Sequence, residues 1–204
     1  MARQKTYALD SVIQDACNVF RKSGYRGTSI SDITEGTGLN RKILYDEFID
    51  KAGIFYVAVN FYIAEQSQSW KSCLLRLPLG FDNIENLFRH TAQTMDSRGS
   101  LIMLVLDESY QSPINAVEQC TLAINQLTAM IARNLTGRFS PLEAQELAQV
   151  LAFQLAALST RARMGATRSE LTSFAKLALS GARLSYNVGI TSQQTDKNPK
   201  TFGY

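Results

Sequence analysis

The sequence predicts an all-α protein, and three observations support this fold class. Apolar residues recur at three- and four-residue spacing along most of the chain, which is the spacing of one helical face. Helix-capping residues precede these segments, and glycine or proline often follows them. The rest of the chain shows no strand pattern. We expect about nine helices, with a three-helix domain over residues 1–50 and a helical domain over residues 51–188.

The first predicted helix is amphipathic and ends at Ser23-Gly24. Its apolar stripe consists of Leu9, Ile13, Ala16, Cys17 and Phe20. Residues 1–8 precede it and carry Arg3 and Lys5. This short basic arm is either a frayed tail or an arm that contacts phosphates, and the sequence leaves both interpretations open.

The next two predicted helices are short and are joined by a tight turn. Thr28 or Ser29 caps the second helix, and Gly38 ends it, because glycine tolerates the left-handed backbone of a helix C-terminus. Asn40 then caps a third helix. An eight-residue helix is about 12 Å long, which suits a DNA major groove about 12 Å wide. The pattern is therefore that of a helix-turn-helix.

The third predicted helix has two distinct faces. Leu44 and Phe48 are four residues apart and point towards the core. Arg41, Lys42 and Tyr45 share the opposite sector, which we expect to meet DNA. Ile43 lies at the margin of that sector, where a branched side chain can touch a thymine methyl group.

Residues 9–55 resemble the DNA-binding domain of the TetR family of bacterial transcriptional regulators. The matching residues are Ala16, Phe20, Gly24, Tyr25, Thr28, Ser29, Ile30, Asp32, Ile33, Gly38, Leu39, Leu44, Tyr45, Phe48 and Lys51. The resemblance implies a cytoplasmic homodimer that binds a near-palindromic double-stranded DNA operator and is released by a small-molecule effector. The candidate DNA-binding residues are Arg26, Thr28, Ser29, Asn40, Arg41, Lys42, Ile43, Tyr45 and Lys51, with Lys51 expected on a phosphate.

The sequence departs from the family pattern in the third helix. Many members carry a small residue at the position of Lys42 and an aromatic or histidine residue at the positions of Asp46 and Glu47. An acid at position 46 can accept a hydrogen bond from a cytosine amino group, or it can point to solvent. Both interpretations remain open.

The second part of the chain is predicted to be helical throughout. Asp50 caps a long helix that reaches about Leu77, and Pro78-Leu79-Gly80 breaks it. Capping boxes are predicted at residues 82–85, 140–143 and 167–170. Residues 101–110 are predicted to form a buried helix, and the last helix fades near Asn187. Residues 189–204 are polar and are expected to form a disordered tail.

The last two helices are rich in small side chains, which allow helices to approach closely. This pattern indicates either packing within one chain or a dimer interface built as a four-helix bundle. The candidate interface residues are Ala152, Ala156, Ser159, Ala178, Gly181 and Ala182.

The implied effector site is expected among apolar residues with a few polar groups. The candidates are Trp70, Phe88, Met95, Met103, Asp107, Tyr110, Met130 and Phe153. We expect the 101–110 helix to border the cavity, with Asp107 or Tyr110 as a polar handle. The alternative is that the acids lie on the surface and the apolar residues are ordinary core.

Composition narrows the remaining possibilities. The net charge of +3 neither requires nor excludes a nucleic-acid partner, because nucleic-acid binding depends on where the charged side chains lie. The three cysteines lack metal or redox spacing, although Cys120 could be a thiol sensor, and one histidine, His90, excludes a histidine-rich metal site. We find no catalytic constellation, expect no cofactor and predict no membrane span. The alternative function is a helical protein-interaction module that uses its first domain on a protein partner.

Overall fold

The computed structural model describes residues 9–195, with side chains to residue 187. The described residues form nine α-helices without a β-strand, so the predicted all-α class is confirmed. The helices are α1 Leu9–Gly27, α2 Ile30–Thr37, α3 Arg41–Phe48, α4 Lys51–Leu74, α5 Phe81–Thr94, α6 Leu101–Asp107, α7 Ile114–Arg133, α8 Pro141–Arg163 and α9 Arg168–Thr195. The predicted basic arm with Arg3 and Lys5 lies outside the described residues.

Helices α1–α3 form an N-terminal unit, called the head (residues 9–50), and α4–α9 form the body. The head core contains Phe20, Ile33 and Leu44, all fully buried. Phe55 of α4 completes this core, since its ring meets the Phe20 ring edge-on at a centroid distance of 4.8 Å. Helix α4 therefore belongs to both units, and the predicted domain boundary near residue 50 stays a prediction.

The body is built around α7, which packs against α8 and α4, while α9 packs against α5 and α8. In α5 and α6 the largest fully buried side chains are Phe81, Phe88, Ile84, Leu87, Leu101 and Ile102. Among the described residues, every helix is too short or too polar to cross a lipid bilayer.

Helix α5 begins differently from the prediction. Gly80 is its N-cap, and the expected Asp82–Glu85 capping box is absent. Instead, Arg183 of α9 donates to Asp82 at 2.9 Å, and its Nε lies 3.7 Å from Glu85 Oε1. Asp82 lies in the first turn of α5 and Glu85 lies just after it. Both acids meet Arg183 of α9, so they join two helices and leave the start of α5 uncapped by a side chain.

Three helix ends also differ from the prediction. Helix α4 ends at Leu74 and α6 ends at Asp107, each three residues before the predicted end. Helix α9 continues to Thr195, so the first part of the tail that was expected to be disordered is helical. The apolar pattern stops near residue 187, but no proline occurs between residue 141 and Pro199 to end the helix. Residues 196–204 lie outside the described residues.

Helix α1 bends at Gly24, whose φ of 71° and ψ of −179° fall in a region that essentially only glycine adopts. The Thr28 hydroxyl donates to the Gly24 carbonyl at 2.6 Å. The carboxylate of Glu108, just after α6, occupies the space where a Cβ of residue 24 would stand. The bend of the head therefore receives a side chain from the body.

We expect Gly24→Ala to lower the free energy of unfolding by about 1–3 kcal/mol, because alanine cannot relax in this backbone region. Urea denaturation measures the loss. Gly27→Ala is the matched control, since its Cβ would lie 3.4 Å from Ser23 Cβ, an ordinary contact. The double variant Gly24→Ala, Glu108→Ala removes the steric part and should keep the backbone part. Wild-type stability of Gly24→Ala would contradict the argument.

Candidate nucleic-acid interface

Hydrogen bonds fix the start of both helices of the helix-turn-helix. The Ser29 hydroxyl accepts from Asp32 N at 3.1 Å, and the Asp32 carboxylate accepts from Ser29 N at 2.7 Å. These bonds to Ser29 hold the pKa of Asp32 below its usual value. Gly38 ends α2 in the left-handed conformation, with φ of 70°, and Asn40 Oδ1 accepts from Ile43 N at 2.9 Å. The local sequence signals thus produce the predicted turn.

Helix α3 has the predicted two faces. Leu44 and Phe48 are buried against the head core. Arg41, Lys42 and Tyr45 are exposed, with 46% of Tyr45 accessible to solvent. The outer face therefore presents two cations and a phenol on one short helix.

The margins of this face are also defined. Arg41 Nη2 donates to Ser31 Oγ at 2.9 Å, which ties the start of α3 to α2. Of these two residues, Ile43 is half-buried, whereas Asp46 is exposed and can meet solvent or a base. The two interpretations of Asp46 both remain compatible with this position.

Two residues, Ile49 and Asp50, join α3 to α4. Ile49 has φ of 70° and ψ of −54°, and Asp50 N donates to Phe48 O at 2.8 Å across it, which is a γ-turn. Positive φ is rare for a β-branched residue, and Ile49 is 82% exposed. Asp50 caps α4 by accepting from Gly53 N at 2.7 Å. A Cβ at Gly53 would collide with the Phe48 carbonyl, so glycine permits this close approach.

Lys51 occupies a structural position that the sequence did not predict. Its Nζ donates to the carbonyls of Tyr25 and Thr28, both at 3.1 Å, and lies 4.3 Å from the centroid of the Tyr25 ring. An ammonium group has three donors, and two of them are used here. Lys51 therefore links α4 to the α1–α2 corner, and its expected phosphate contact stays a prediction.

The remaining candidates at the start of α2 differ in exposure. Thr28 is 1% exposed and its hydroxyl is bonded to Gly24, so its assignment to the DNA surface is corrected to a buried structural role. Ser29 and Arg26 are exposed. Arg26 Nη1 reaches Gln111 Oε1 of the body at 3.4 Å.

The predicted effector residues do not form one cluster. Trp70, Met95 and Met103 line a small cavity of about 40 Å³, and Met103 and Phe153 line a groove of about 570 Å³. The other predicted residues, Phe88, Asp107, Tyr110 and Met130, line neither space. Phe88 faces a separate groove between α5 and α9.

The expected polar handle is not where the sequence suggested. Asp107 and Tyr110 are exposed, and the chain turns towards α1 after α6 ends. Helix α6 therefore borders the cavity through Met103 and not through its C-terminal acids.

The predicted interface residues also divide. Ala152 and Ser159 are buried within the chain, and Ser159 Oγ accepts from Ser100 N at 2.8 Å. Ala156, Ala178 and Ala182 are half-buried, and Gly181 is exposed. The small side chains of α8 lie mostly on the side of the helix that packs within the chain. The assignment of Ala152 and Ser159 to a dimer interface is therefore corrected to intramolecular contacts. The exposed large apolar residues nearby, which the sequence reading missed, are Val150, Met164, Leu177 and Leu184.

The three cysteines are buried. Burial raises the pKa of Cys17 and of Cys120 to about 12, and Cys17 Sγ donates to Ala58 O at 3.1 Å. Because the thiolate is the reactive form, a thiol in this state is a poor nucleophile. This environment argues against Cys120 as a thiol sensor.

Residues 12–57 match the family described as bacterial regulatory proteins, tetR family. The HTH-type transcriptional repressor ComR of Escherichia coli (strain K12) is 36% identical over 61 residues, which are 30% of this chain and 29% of ComR. The HTH-type transcriptional repressor BdcR of the same organism is 25% identical over 177 residues, or 86% of this chain and 89% of BdcR. The chain thus spans less than a third of ComR and most of BdcR.

A solved structure gives the same architecture. The TetR family transcriptional regulator CifR, as a cysteine mutant complexed with 26-base-pair operator DNA, superimposes with a TM-score of 0.73 at 24% identity. The match covers 87% of this chain and 98% of that chain. Together these findings confirm the resemblance to the TetR family and the helical architecture.

We expect Lys51→Met to lower the free energy of unfolding by about 1–3 kcal/mol, because it removes charge-assisted hydrogen bonds to two carbonyls. Lys71→Met, at an exposed position of the same helix, is the matched control. Chemical denaturation followed by circular dichroism compares them. Equal stability of the two variants would remove the structural role of Lys51.

Proposed function

We propose that this chain, whose N-terminal domain is of the TetR family, is a DNA-binding transcriptional regulator that acts as a repressor. The observation that carries the proposal is the outer face of α3, where Arg41, Lys42 and Tyr45 are exposed while Leu44 and Phe48 anchor the helix. The relatives ComR and BdcR are named repressors, which supports this mode of action.

The contacts expected of this face follow from its chemistry. A guanidinium can pair with both acceptors of a guanine edge in the major groove, which suits Arg41 at the start of α3. Lys42, Ser29 and Arg26 are exposed around it and are suited to phosphate contacts, which position the helix without reading sequence. The Asn40 side chain caps the N-terminus of α3, so its chief contribution is to fix the start of that helix.

A homodimer is part of the proposal, because one eight-residue helix reads too few bases for specific regulation. Two heads related by a two-fold axis can read half-sites in successive major grooves. The exposed apolar side chains Val150, Met164, Leu177 and Leu184, around Gly181, define a surface that we name the α8–α9 face. Two helices from each subunit meeting at this face would form a four-helix bundle.

The effector remains part of the proposed function, as the family resemblance implies. A ligand that prefers a conformation with the wrong head spacing weakens DNA binding by that preference alone. A protein-interaction module that uses the α3 face on a protein partner is the alternative. DNA binding with a steep salt dependence would favour the regulator, since phosphate contacts release counterions.

The double variant Arg41→Ala, Lys42→Ala should lose operator binding, with about 1–3 kcal/mol lost through the arginine if it pairs with guanine. The DNA is a fragment enriched from genomic fragments by the wild-type protein, and a mobility shift measures affinity. Lys71→Ala, on the body, is the control. A folded double variant with wild-type affinity would reject the α3 face as the DNA-binding surface.

Gly181→Arg should convert a dimer into a monomer, because it places a charge in the α8–α9 face. A Cβ added at Gly181 meets nothing within 4 Å in the same chain, so the substitution starts from open space and is directed at the partner contact. Leu122→Arg, at an exposed position of α7, is the control. Analytical ultracentrifugation at micromolar concentration reads the result, and a monomeric wild type would refute the dimer.

A further inference from the structure

The outward direction of helix α3 is set by its two buried side chains. Leu44 and Phe48 anchor the helix on the head core. Asp46 is two residues from each of them, and at about 100° per residue its side chain points roughly 160° away from both. Every other residue of α3 points closer to at least one of the two anchors. Asp46 therefore lies on the centre line of the outer face.

The cations of α3 lie beside this centre line. Arg41 Nη2 donates to Ser31 Oγ of α2 at 2.9 Å, which holds the guanidinium on the side of α3 that faces α2. Lys42 is exposed and precedes Asp46 by about one turn, so the two side chains are neighbours on the helix surface. Among the described residues, the exposed Asp46 carboxylate has no hydrogen-bond or ion-pair partner. It is therefore available to whatever the outer face of α3 meets.

This position favours one of the two interpretations of Asp46. A residue at the margin of a docked helix can point past the DNA into solvent, but a residue on the centre line faces the floor of the groove. The major groove is about 8.5 Å deep and displays the base edges at its floor. If α3 docks through the face that carries Arg41 and Lys42, Asp46 therefore faces base edges and not bulk solvent.

A carboxylate restricts which base it can meet. An ionised carboxylate accepts hydrogen bonds and donates none, and the DNA phosphates repel it. The donors in the major groove are the N4 amino group of cytosine and the N6 amino group of adenine. Adenine carries the N7 acceptor beside its amino group, and N7 repels the second carboxylate oxygen, whereas cytosine carries a carbon-bound hydrogen there. The chemistry therefore favours cytosine.

We propose that Asp46 is a specificity-determining residue that accepts a hydrogen bond from the N4 amino group of one cytosine in each operator half-site. The proposal rests on the proposed function and adds a base pair that the operator contains. Lys42 offsets the negative charge of Asp46 near the DNA backbone. At a half-site without this cytosine, the carboxylate loses its water without gaining a donor, so the same residue also weakens binding to other sequences.

The experiment selects duplexes from a random library with the full-length chain, and mobility shifts then measure the affinities. Wild-type half-sites should contain a C·G pair at one position, and replacing it with any other pair should weaken binding about tenfold. Asp46→Asn should change the preferred pair at that position from C·G to A·T, because an amide can accept from adenine N6 and donate to N7. Asp46→Ala should lose the preference at that position and keep the rest of the half-site.

Controls separate base recognition from the effects of charge and folding. Glu35→Gln removes an exposed acid of α2 and should select the same half-sites as the wild type. Circular dichroism should show wild-type helical content in both Asp46 variants, and either variant alone carries the test if the other loses it. A merely structural role of Asp46 would weaken binding to all duplexes alike and would not exchange one base pair for another at one position.

The outcomes also separate this inference from the proposed function. Identical half-sites for the wild type and both Asp46 variants would overturn the role of Asp46 and leave the regulator standing. A position that changes in the variants but holds a pair other than C·G in wild-type sites would overturn it as well. A wild-type chain that enriches no duplex would reject the proposed function, and this inference with it.

Discussion

The arrangement of head and body depends on the guanidinium of Arg21. Its side chain is only 11% exposed, and it binds both the Asp96 carboxylate and the Gly99 carbonyl. Burial raises the pKa of Asp96, but hydrogen bonds from Arg98 and the charge of Arg21 outweigh this effect and lower the pKa. The carboxylate therefore stays charged throughout the neutral range, and this contact is lost only as the pH falls through that lowered pKa.

A second attachment lies one turn further along α1. Gly24 bends the helix and leaves room for the Glu108 carboxylate, so the body meets α1 at two neighbouring places. Lys51 joins α4 to the neighbouring corner of the head by binding the carbonyls of Tyr25 and Thr28. The body thus holds α1, and α4 is held to α1 through Lys51.

The sequence predicted features that depend on neighbours along the chain. Caps such as Ser29 and Asn40 work within one turn of helix, and the two faces of α3 follow from helical periodicity alone. The roles of Lys51, Asp82 and Glu108 depend on residues 23 to 101 positions away, and no local pattern encodes those partners. The sequence also does not show whether a small residue of α8 faces its own chain or a partner.

The γ-turn at Ile49 has a consequence for how recognition could diversify. Only two residues separate α3 from α4, and Gly53 lets the first turn of α4 approach the Phe48 carbonyl. Because this connection is short and closely packed, an insertion there would rotate α3 away from its packing against the head core. A new DNA specificity can therefore arise by exchange of the outward side chains of α3, but not by a change in the length of the α3–α4 connection. We therefore expect that the segment from Asn40 to Gly53 can be moved into another chain only as one unit, together with its turn.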